Sequence, residues 1–317
     1  MRIRDASADS GVVLQPGHAG VAAGVSREGR SPLPAPPVRR AGVRGWLRVG
    51  AGTGVVVIIA LSYFPLLVIA SNSLKSSSEL ASSGPFSFFS GFDPSNYVLA
   101  ARGVGPYLLN TLIVGGAAIV LGVPAAALAA YGFAQSKFVG RELLFYFYLG
   151  LLLIPWTLTL IPLFIEVQHF GMFNTWGALI FPYAASAQPL LLFIDRAFFE
   201  GIPEELFQSA RVDGASELQV LSKIVVPLAR PLLLTGVVLM AISVWGDYLW
   251  PTVVLTATNK LTVSAGLQAF VGSFGLSGTG QGSVFAAYLI VTAPLFLLVG
   301  ITMKYFVNGV TAGAGKL

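Results

Sequence analysis

One polar stretch of the chain has the sequence Ile202-Pro-Glu-Glu-Leu-Phe-Gln-Ser-Ala-Arg-Val-Asp-Gly-Ala-Ser-Glu-Leu-Gln-Val-Leu-Ser-Lys-Ile-Val-Val-Pro227. Residues 195–230 hold ten of the 33 charged residues (19 basic and 14 acidic), whereas the flanking segments 167–194 and 231–246 hold none. Because charged side chains are costly in apolar surroundings, this stretch belongs in water. Its ordered helix signals favour a docking element for a water-soluble partner over a loop that is only solvated.

The first half of this insert has the signals of a short helix. Pro203 suits the first helical position because its missing N–H would have no intrahelical partner there. Glu204 and Glu205 place negative charge in the first turn, where the helix dipole favours it. Asp213 and Gly214 form a turn dipeptide, since glycine adopts positive φ without strain. A helix is therefore predicted between Pro203 and this turn.

A second helix is predicted directly after the turn. Ser216 and Gln219 have the spacing of a capping box, which satisfies two free N–H groups at a helix start. The apolar residues that follow recur at helical spacing and predict one apolar face, formed by Leu218, Leu221, Ile224 and Val225. Two prolines bracket the predicted exit of this helix into the next apolar segment, Pro227 and Pro231.

The composition of the chain is that of an integral membrane protein. Hydrophobic residues make up 55% and charged residues 10%, against roughly 25% charged residues in soluble domains. The absence of cysteine excludes disulfides, thiolate metal sites and cysteine nucleophiles. A hydrocarbon core about 30 Å thick needs roughly 20 apolar residues per helical span. Six segments qualify, near 50–70, 107–130, 143–164, 176–194, 231–249 and 284–306, and the Gly- and Ser-rich residues 272–283 are predicted as loop.

The distribution of basic residues predicts the orientation of this all-α fold of six transmembrane helices. With the N-terminus inside, 16 of the 19 Lys and Arg residues lie on the cytoplasmic side, and only Lys75, Arg102 and Lys260 lie outside. Both termini and the insert, at about 195–230, are therefore predicted to be cytoplasmic. The transmembrane domain would occupy residues 49–306, followed by a tail at 307–317. Residues 1–48 are rich in Arg, Pro, Gly and Ala and lack an apolar period, so they are predicted to be a disordered basic extension. A signal peptide, the rival interpretation, would have a shorter charged region and a shorter apolar run.

The insert resembles a motif of a known family. The spacing of Ala210, Gly214, Ile224 and Pro227 resembles the cytoplasmic EAA loop of ABC-importer permeases. The string from Ala210 to Glu217 is similar to the carbohydrate-uptake, maltose-transporter-like branch. The chain departs from the motif at Gln208-Ser209, where the family usually has Glu-Ala, so an ion pair from that position is not implied. Three further stretches carry the resemblance, Asn110-Thr111, Trp245–Pro251 and Tyr305–Lys316.

The resemblance implies a permease subunit of a bacterial ABC importer for a carbohydrate, working by alternating access in the inner membrane. The implied partners are a second, non-identical permease, a pair of ATP-binding subunits, an extracytoplasmic solute-binding protein and membrane lipid, with no nucleic acid. ATP and Mg would be bound by the ATP-binding subunits, so this chain would bind no cofactor and would not be an enzyme. The outer loop at about 252–283 would face the binding protein, and the tail at 309–316 the ATPase interface. The residues expected to couple the permease to the ATPase are Gln208, Ser209, Ala210, Asp213, Gly214, Ile224 and Pro227.

A second candidate site lies at the end of the fifth span, formed by Trp245, Asp247, Tyr248 and Trp250. An acid near a span end is costly unless it faces water or a partner, which makes it a functional candidate. The aromatic rings could stack on a sugar while Asp247 accepts bonds from its hydroxyls. The stretch could equally be an interfacial aromatic belt, or part of the surface that pairs two permeases.

Other functions are less consistent with the sequence. The segment 309–316 lacks a glycine and a hydroxyl that a phosphate loop requires. His169 has no second ligand at metal-binding spacing. A secondary transporter driven by an ion gradient is the main alternative, but no internal repeat is evident and Asp247 is the only acid near a span interior. A membrane-embedded enzyme would need a metal or nucleophile constellation that the sequence does not offer.

Overall fold

The structure is a computed structural model that describes the backbone of residues 41–84, 86–88, 90–275 and 280–314, with side chains from 51 to 302 within these ranges. The chain divides into two units, Met1–Val56 and Val57–Leu317. The first helix begins at Ala41, within the last residues of the extension predicted at 1–48. The prediction for residues 1–40 lies outside the described residues.

Regular structure in the described ranges is entirely helical. The α-helices are α1 (Ala41–Ser73), α2 (Ser77–Ser83), α3 (Ser95–Gln135), α4 (Arg141–Gly150), α5 (Trp156–His169), α6 (Gly177–Ser186), α7 (Gln188–Glu200), α8 (Glu204–Val212), α9 (Glu217–Val220), α10 (Val226–Gly246), α11 (Leu249–Val254), α12 (Val263–Phe274) and α13 (Gln281–Ala314). Short 3₁₀ turns occur at Leu151–Leu153 and Thr258–Lys260, and a π turn at Leu221–Val225 joins α9 to α10.

Six membrane spans are consistent with these helices. Five helical segments are long and apolar enough to cross a membrane, Ala51–Ser73, Ser95–Gln135, Gly177–Glu200, Glu217–Gly246 and Gln281–Thr302. The pair α4 and α5 makes a sixth span if it is counted as one. The all-helical membrane fold predicted from composition is thus confirmed. The last helix continues to Ala314, past its predicted end at residue 306.

The third span is not the continuous helix that the sequence predicts. Its two halves, α4 and α5, meet at an angle of 100°. The break lies at Ile154 and Pro155, where Pro155 has no N–H to continue the helix and Ile154 is extended, with φ −81° and ψ 115°. The prediction of one span at 143–164 is therefore wrong in shape.

The fifth span continues directly from the insert. The helix from Glu217 to Gly246 is a single 30-residue segment. Pro227 and Pro231 were predicted to bracket the exit of the second insert helix, but both lie inside this segment. Pro227 follows the π turn, whose wider hydrogen-bonding pattern leaves room for a proline ring beside the preceding turn. The insert and the span therefore form one element.

Helix α3 is the centre of the helical packing, because α6, α7, α10, α12 and α13 all contact it. Its buried residues include the small side chains Ala118, Gly122, Ala126 and Ala130, spaced four apart along one face. Small residues let helices approach closely in a membrane. A Cβ on Gly122 would lie 2.8 Å from the end of the Met240 side chain and 3.4 Å from the Ala184 backbone, so a larger residue here would require the methionine to shift.

Candidate functional site

The first insert helix, α8, packs against the membrane-spanning helices through two residues. Phe207 is 1% exposed and Ala210 is also buried, in one apolar cluster with Ala130, Tyr131 and Phe199 of α3 and α7. Burying a phenylalanine side chain contributes about 1.5–3 kcal/mol. Ala210, one of the residues expected to couple the permease to the ATPase, has its side chain in this chain's own core, and its part in coupling stays a prediction.

The turn after α8 has the geometry of a helix C-terminal Schellman motif. Gly214 has φ +77°, and its N–H donates to the Arg211 carbonyl at 3.1 Å. The N–H of Ala215 donates to the Ala210 carbonyl at 2.9 Å. The predicted turn at Asp213-Gly214 is confirmed. No atom lies within 4 Å of a Cβ placed on Gly214, so the constraint at this position is backbone φ and not space.

The second insert helix starts at the predicted capping box. The Gln219 N–H donates to the Ser216 hydroxyl, and the Ser216 N–H donates to the Gln219 side chain at 2.9 Å. Its buried face is formed by Val220, Leu221 and Val225. Leu218 is 68% exposed, so its predicted place on this face is wrong. The helix starts at Glu217 in a register that turns Leu218 away from the apolar cluster.

Glu217 of α9 links this helix to α3 and α8, and the sequence analysis did not predict this role. Its carboxylate accepts a hydrogen bond from the Tyr131 hydroxyl of α3 and one from Arg211 Nε of α8, the latter at 3.0 Å. The bond to Glu217 also raises the pKa of the Arg211 guanidinium, which stays charged. Only the Arg211–Glu217 separation of six residues could have suggested a pair, since Tyr131 is 86 residues away in sequence.

The outward side of the insert is polar with two exposed apolar side chains. Gln208, Ser209, Asp213, Gly214 and Pro227 are exposed, and Ile224 is partly buried. Val212 is 86% exposed and, with Leu218, adds apolar surface beside them. We call these exposed residues of 208–218 the docking face. A surface that mixes polar groups with apolar anchors is typical of protein interfaces.

Helix α7 is anchored beside the insert by a buried arginine. Arg196 pairs with Glu142 of α4 at 2.7 Å and with Glu200 at 2.8 Å, and its guanidinium lies 3.9 Å from the centre of the Phe145 ring. The neighbouring Asp195 is 3% exposed, with no hydrogen bond or ion pair to the described residues. A span therefore contains a buried acid, contrary to the sequence-based expectation that only Asp247 lies near a span interior.

At the other end of the fifth span, Asp247 has an internal role. Its carboxylate accepts the Tyr183 hydroxyl at 2.8 Å and the Trp250 N–H at 3.2 Å, which caps the first turn of α11. Trp250 is fully buried, and its indole N–H donates to the Ala178 carbonyl at 2.8 Å. Trp250 therefore has no exposed ring face on which a sugar could stack, contrary to the prediction from the sequence. Tyr248 is exposed and Trp245 is half-buried.

The loop after α11 is fastened to two neighbouring elements. Asn110 of α3 donates to the carbonyls of Asn259 and Leu261 at 2.8 and 2.9 Å. Asn174, with φ +57°, accepts the N–H groups of Thr256 and Ala257, and Lys260 Nζ donates to its carbonyl at 2.7 Å. The second span was predicted to begin near residue 107, but α3 begins at Ser95, so Asn110 lies well inside this helix. Its side chain holds the loop after α11 in place.

Comparison with known proteins identifies the family. Residues 118–312 match the family described as the inner membrane component of binding-protein-dependent transport systems. The chain belongs to this family. This permease is 32% identical, over 82% of its length and 85% of the relative, to the probable ABC transporter permease YurM of Bacillus subtilis. It is 33% identical, over 82% of its length and 94% of the relative, to the trehalose transport system permease SugB of Mycobacterium tuberculosis.

The fold of the permease is also found in a solved transporter. A chain from a bacterial ABC transporter involved in the import of the acidic polysaccharide alginate superposes with a TM-score of 0.74. The match covers 84% of the permease and 98% of that chain, at 21% sequence identity. At this identity the likeness concerns the fold alone.

Proposed function

We propose that this chain is a permease subunit of a bacterial ABC importer that carries a carbohydrate across the inner membrane. The observation that carries the proposal is the insert, whose α8 is fastened inward by Phe207 while Gln208, Ser209 and Val212 face outward. A helix that packs against the spans on one side and is exposed on the other can transmit movement from a docked partner to the spans. In this proposal the partner is a pair of ATP-binding subunits, which bind ATP and Mg.

The coupling would pass through a continuous helix. Glu217 lies at the start of the 30-residue segment that ends at Gly246, next to the Asp247–Tyr183 hydrogen bond. Glu217 binds Arg211 of α8, so a displacement of the docking face would pass through this hydrogen bond to the membrane-spanning helix. Alternating access needs such rigid-body movement of spans. The termini and insert would be cytoplasmic, and the loop at about 252–283 would face an extracytoplasmic solute-binding protein.

The carbohydrate class is supported by named relatives. Besides the trehalose permease, a diacetylchitobiose uptake permease of Streptomyces coelicolor is 31% identical over 82% of this chain. In this proposal a second, non-identical permease completes the transport path.

An ion-driven transporter remains the contrasting mechanism, because the broken third span and buried Asp195 are features that such transporters use. The test is uptake of labelled trehalose, maltose and diacetylchitobiose into proteoliposomes that contain the permease, its co-purifying subunits and binding protein. We expect uptake of at least one sugar that needs internal ATP and persists when ionophores collapse the proton and sodium gradients. Uptake that follows either gradient in the absence of ATP would contradict the proposal.

A further inference from the structure

Two adjoining cavities open beside the break in the third span. The smaller, of about 190 Å³, lies between α6, α7 and α10. The larger, of about 560 Å³, lies along the break and α5, and both are lined by Leu152 and Ser186. The larger volume is within the range of about 300–1,000 Å³ that is usual for small-molecule sites. The two cavities share these lining residues at the third, fourth and fifth spans, and together we call them the break cavity.

The break in the backbone determines what can fill this space. In the hydrocarbon region, non-helical backbone is tolerated only where protein covers it or where it lines a water-filled cavity. Leu151, Leu152 and Ile154 at the break all line the larger cavity and are each at least 40% exposed in this chain. The break therefore faces either a partner protein or a water-filled space, and not lipid.

The side chains of the break cavity suit a neutral sugar. Trp156 lines the larger part and packs edge-on against the buried Trp250, with ring centres 5.9 Å apart. Trp156 thus offers the cavity an aromatic surface, whereas Trp250 is fully buried. Ser243 has an exposed hydroxyl with no hydrogen-bond partner among the described residues, and Ser186 lines both parts. Aromatic faces and hydroxyl groups complement the apolar faces and hydroxyls of a sugar ring.

The described lining of the break cavity includes an acidic side chain and no basic one. Glu166 lines the larger part, and Tyr183 of the smaller part donates its hydroxyl to Asp247. None of the described residues that line either part is Lys, Arg or His. A carboxylate accepts bonds from sugar hydroxyls but repels a carboxylated or sulfated ligand.

We propose that the break cavity is a contact site for the transported carbohydrate and that it selects neutral over acidic sugars. The inference rests on the proposed function as a carbohydrate permease. It separates this chain from the alginate transporter that shares its fold, whose substrate is an acidic polysaccharide.

The first test measures access by water. The chain has no cysteine, so Ser186→Cys and Ser243→Cys variants can be probed in membranes of cells that contain the assembled transporter. We expect both to react with water-soluble methanethiosulfonates, the cationic reagent about tenfold faster than the anionic one, because acidic clefts concentrate cations. Glu166→Gln should reduce this preference. A Val120→Cys control, 70% exposed on α3 but outside the break cavity, should not react. Unreactive serine-site cysteines, or equal rates for both reagents, would overturn the proposal.

The second test identifies the ligand class. Labelling of Ser243→Cys is repeated with trehalose, maltose, diacetylchitobiose or an alginate trisaccharide delivered by the binding protein. We expect at least one neutral sugar to slow labelling more than threefold. Protection by the alginate trisaccharide alone, or by none of the four, would overturn it. The same cells report ATP-driven uptake: if uptake persists while the cavity tests fail, only this inference fails, whereas lost ATP dependence defeats the proposed function itself.

The third test concerns Trp156. Trp156→Ala should raise the KM for uptake of the protecting sugar about tenfold, whereas Leu158→Ala on the same helix, exposed and outside the break cavity, should not change it. ATP hydrolysis stimulated by the binding protein serves as the readout of assembly. An unchanged KM for Trp156→Ala with intact ATP hydrolysis would contradict a stacking contact.

Discussion

Gly214 sets the path of the insert through its backbone alone. Its φ of +77° strains any β-branched residue, at a cost of about 1–3 kcal/mol, although there is open space for a side chain. Gly214→Val should therefore insert into the membrane normally but lose ATPase co-purification and transport. Gly214→Asn should retain most of both, because asparagine tolerates this conformation.

Gly201→Val is the matched control for this prediction. Gly201 is also exposed and lies just before α8, and its φ of −84° is one that valine adopts without backbone strain. Co-purification and uptake should stay at wild-type values. If Gly214→Val also behaved as wild type in both assays, the docking role of the turn would be wrong.

Glu217 is the residue at which the insert is tied to the third helix of the chain. Glu217→Gln retains the volume but weakens the hydrogen bonds to Tyr131 and Arg211, each contributing about 1 kcal/mol. We expect the variant to hydrolyse ATP with reduced transport per ATP. Tyr131→Phe should produce the same uncoupling, and the double variant should add little, which a double-mutant cycle on the transport-to-ATP ratio measures. Fully additive effects would show that the two residues act separately.

Single residues of the insert could be predicted where the signal is local. The turn at Gly214 and the capping box at Ser216 depend on neighbours within three residues, and both are confirmed. Tyr131 and Glu217 meet only because α3 and α9 pack together, which no short-range spacing encodes. Leu218 fits the apolar repeat as well as Val225 does, and only the packing shows that it faces outward.

Helix α8 has two faces with different tasks. Phe207→Ala opens a cavity in the cluster beneath the insert and should destabilise the docked insert by about 3–5 kcal/mol. Limited proteolysis should then cut within 201–216 in the assembled complex. Val212→Asp, on the exposed face, should leave the proteolysis pattern unchanged yet weaken co-purification of the ATP-binding subunits. Equal proteolysis of both variants would contradict the division into an anchored and a docking face.

The break in the third span shows the limit of prediction at the level of helices. Prolines occur inside several helices, and α3 runs through Pro106 and Pro124 without ending. Between α4 and α5, by contrast, the chain turns by 100° at Pro155. A proline predicts a weakened helix, but whether neighbouring helices hold it straight is decided by tertiary packing. Span number therefore followed from composition, whereas the shape of the third span did not.

At the scale of the whole molecule, the basic residues predict which end of the bundle faces the cytoplasm. Ser209 lies on the docking face and Thr258 in the loop fastened by Asn174, and both are exposed. In intact cells, an impermeant maleimide added outside should label Thr258→Cys and not Ser209→Cys. Permeabilised cells should show labelling of both, which controls for reactivity. The reverse pattern in intact cells would invert the topology.

The π turn at Leu221–Val225 has a consequence for chain length. A π turn holds one residue more than an α-turn, because its hydrogen bonds join residues five apart. Deleting the exposed Lys223, together with Pro227→Ala to remove the ring that the wide turn accommodates, should leave an uninterrupted α-helix with both flanks in phase. Deleting Thr235 instead would rotate everything beyond it by about 100° and prevent assembly. The junction between insert and membrane can thus lose or gain a residue during evolution while the rest of the span cannot.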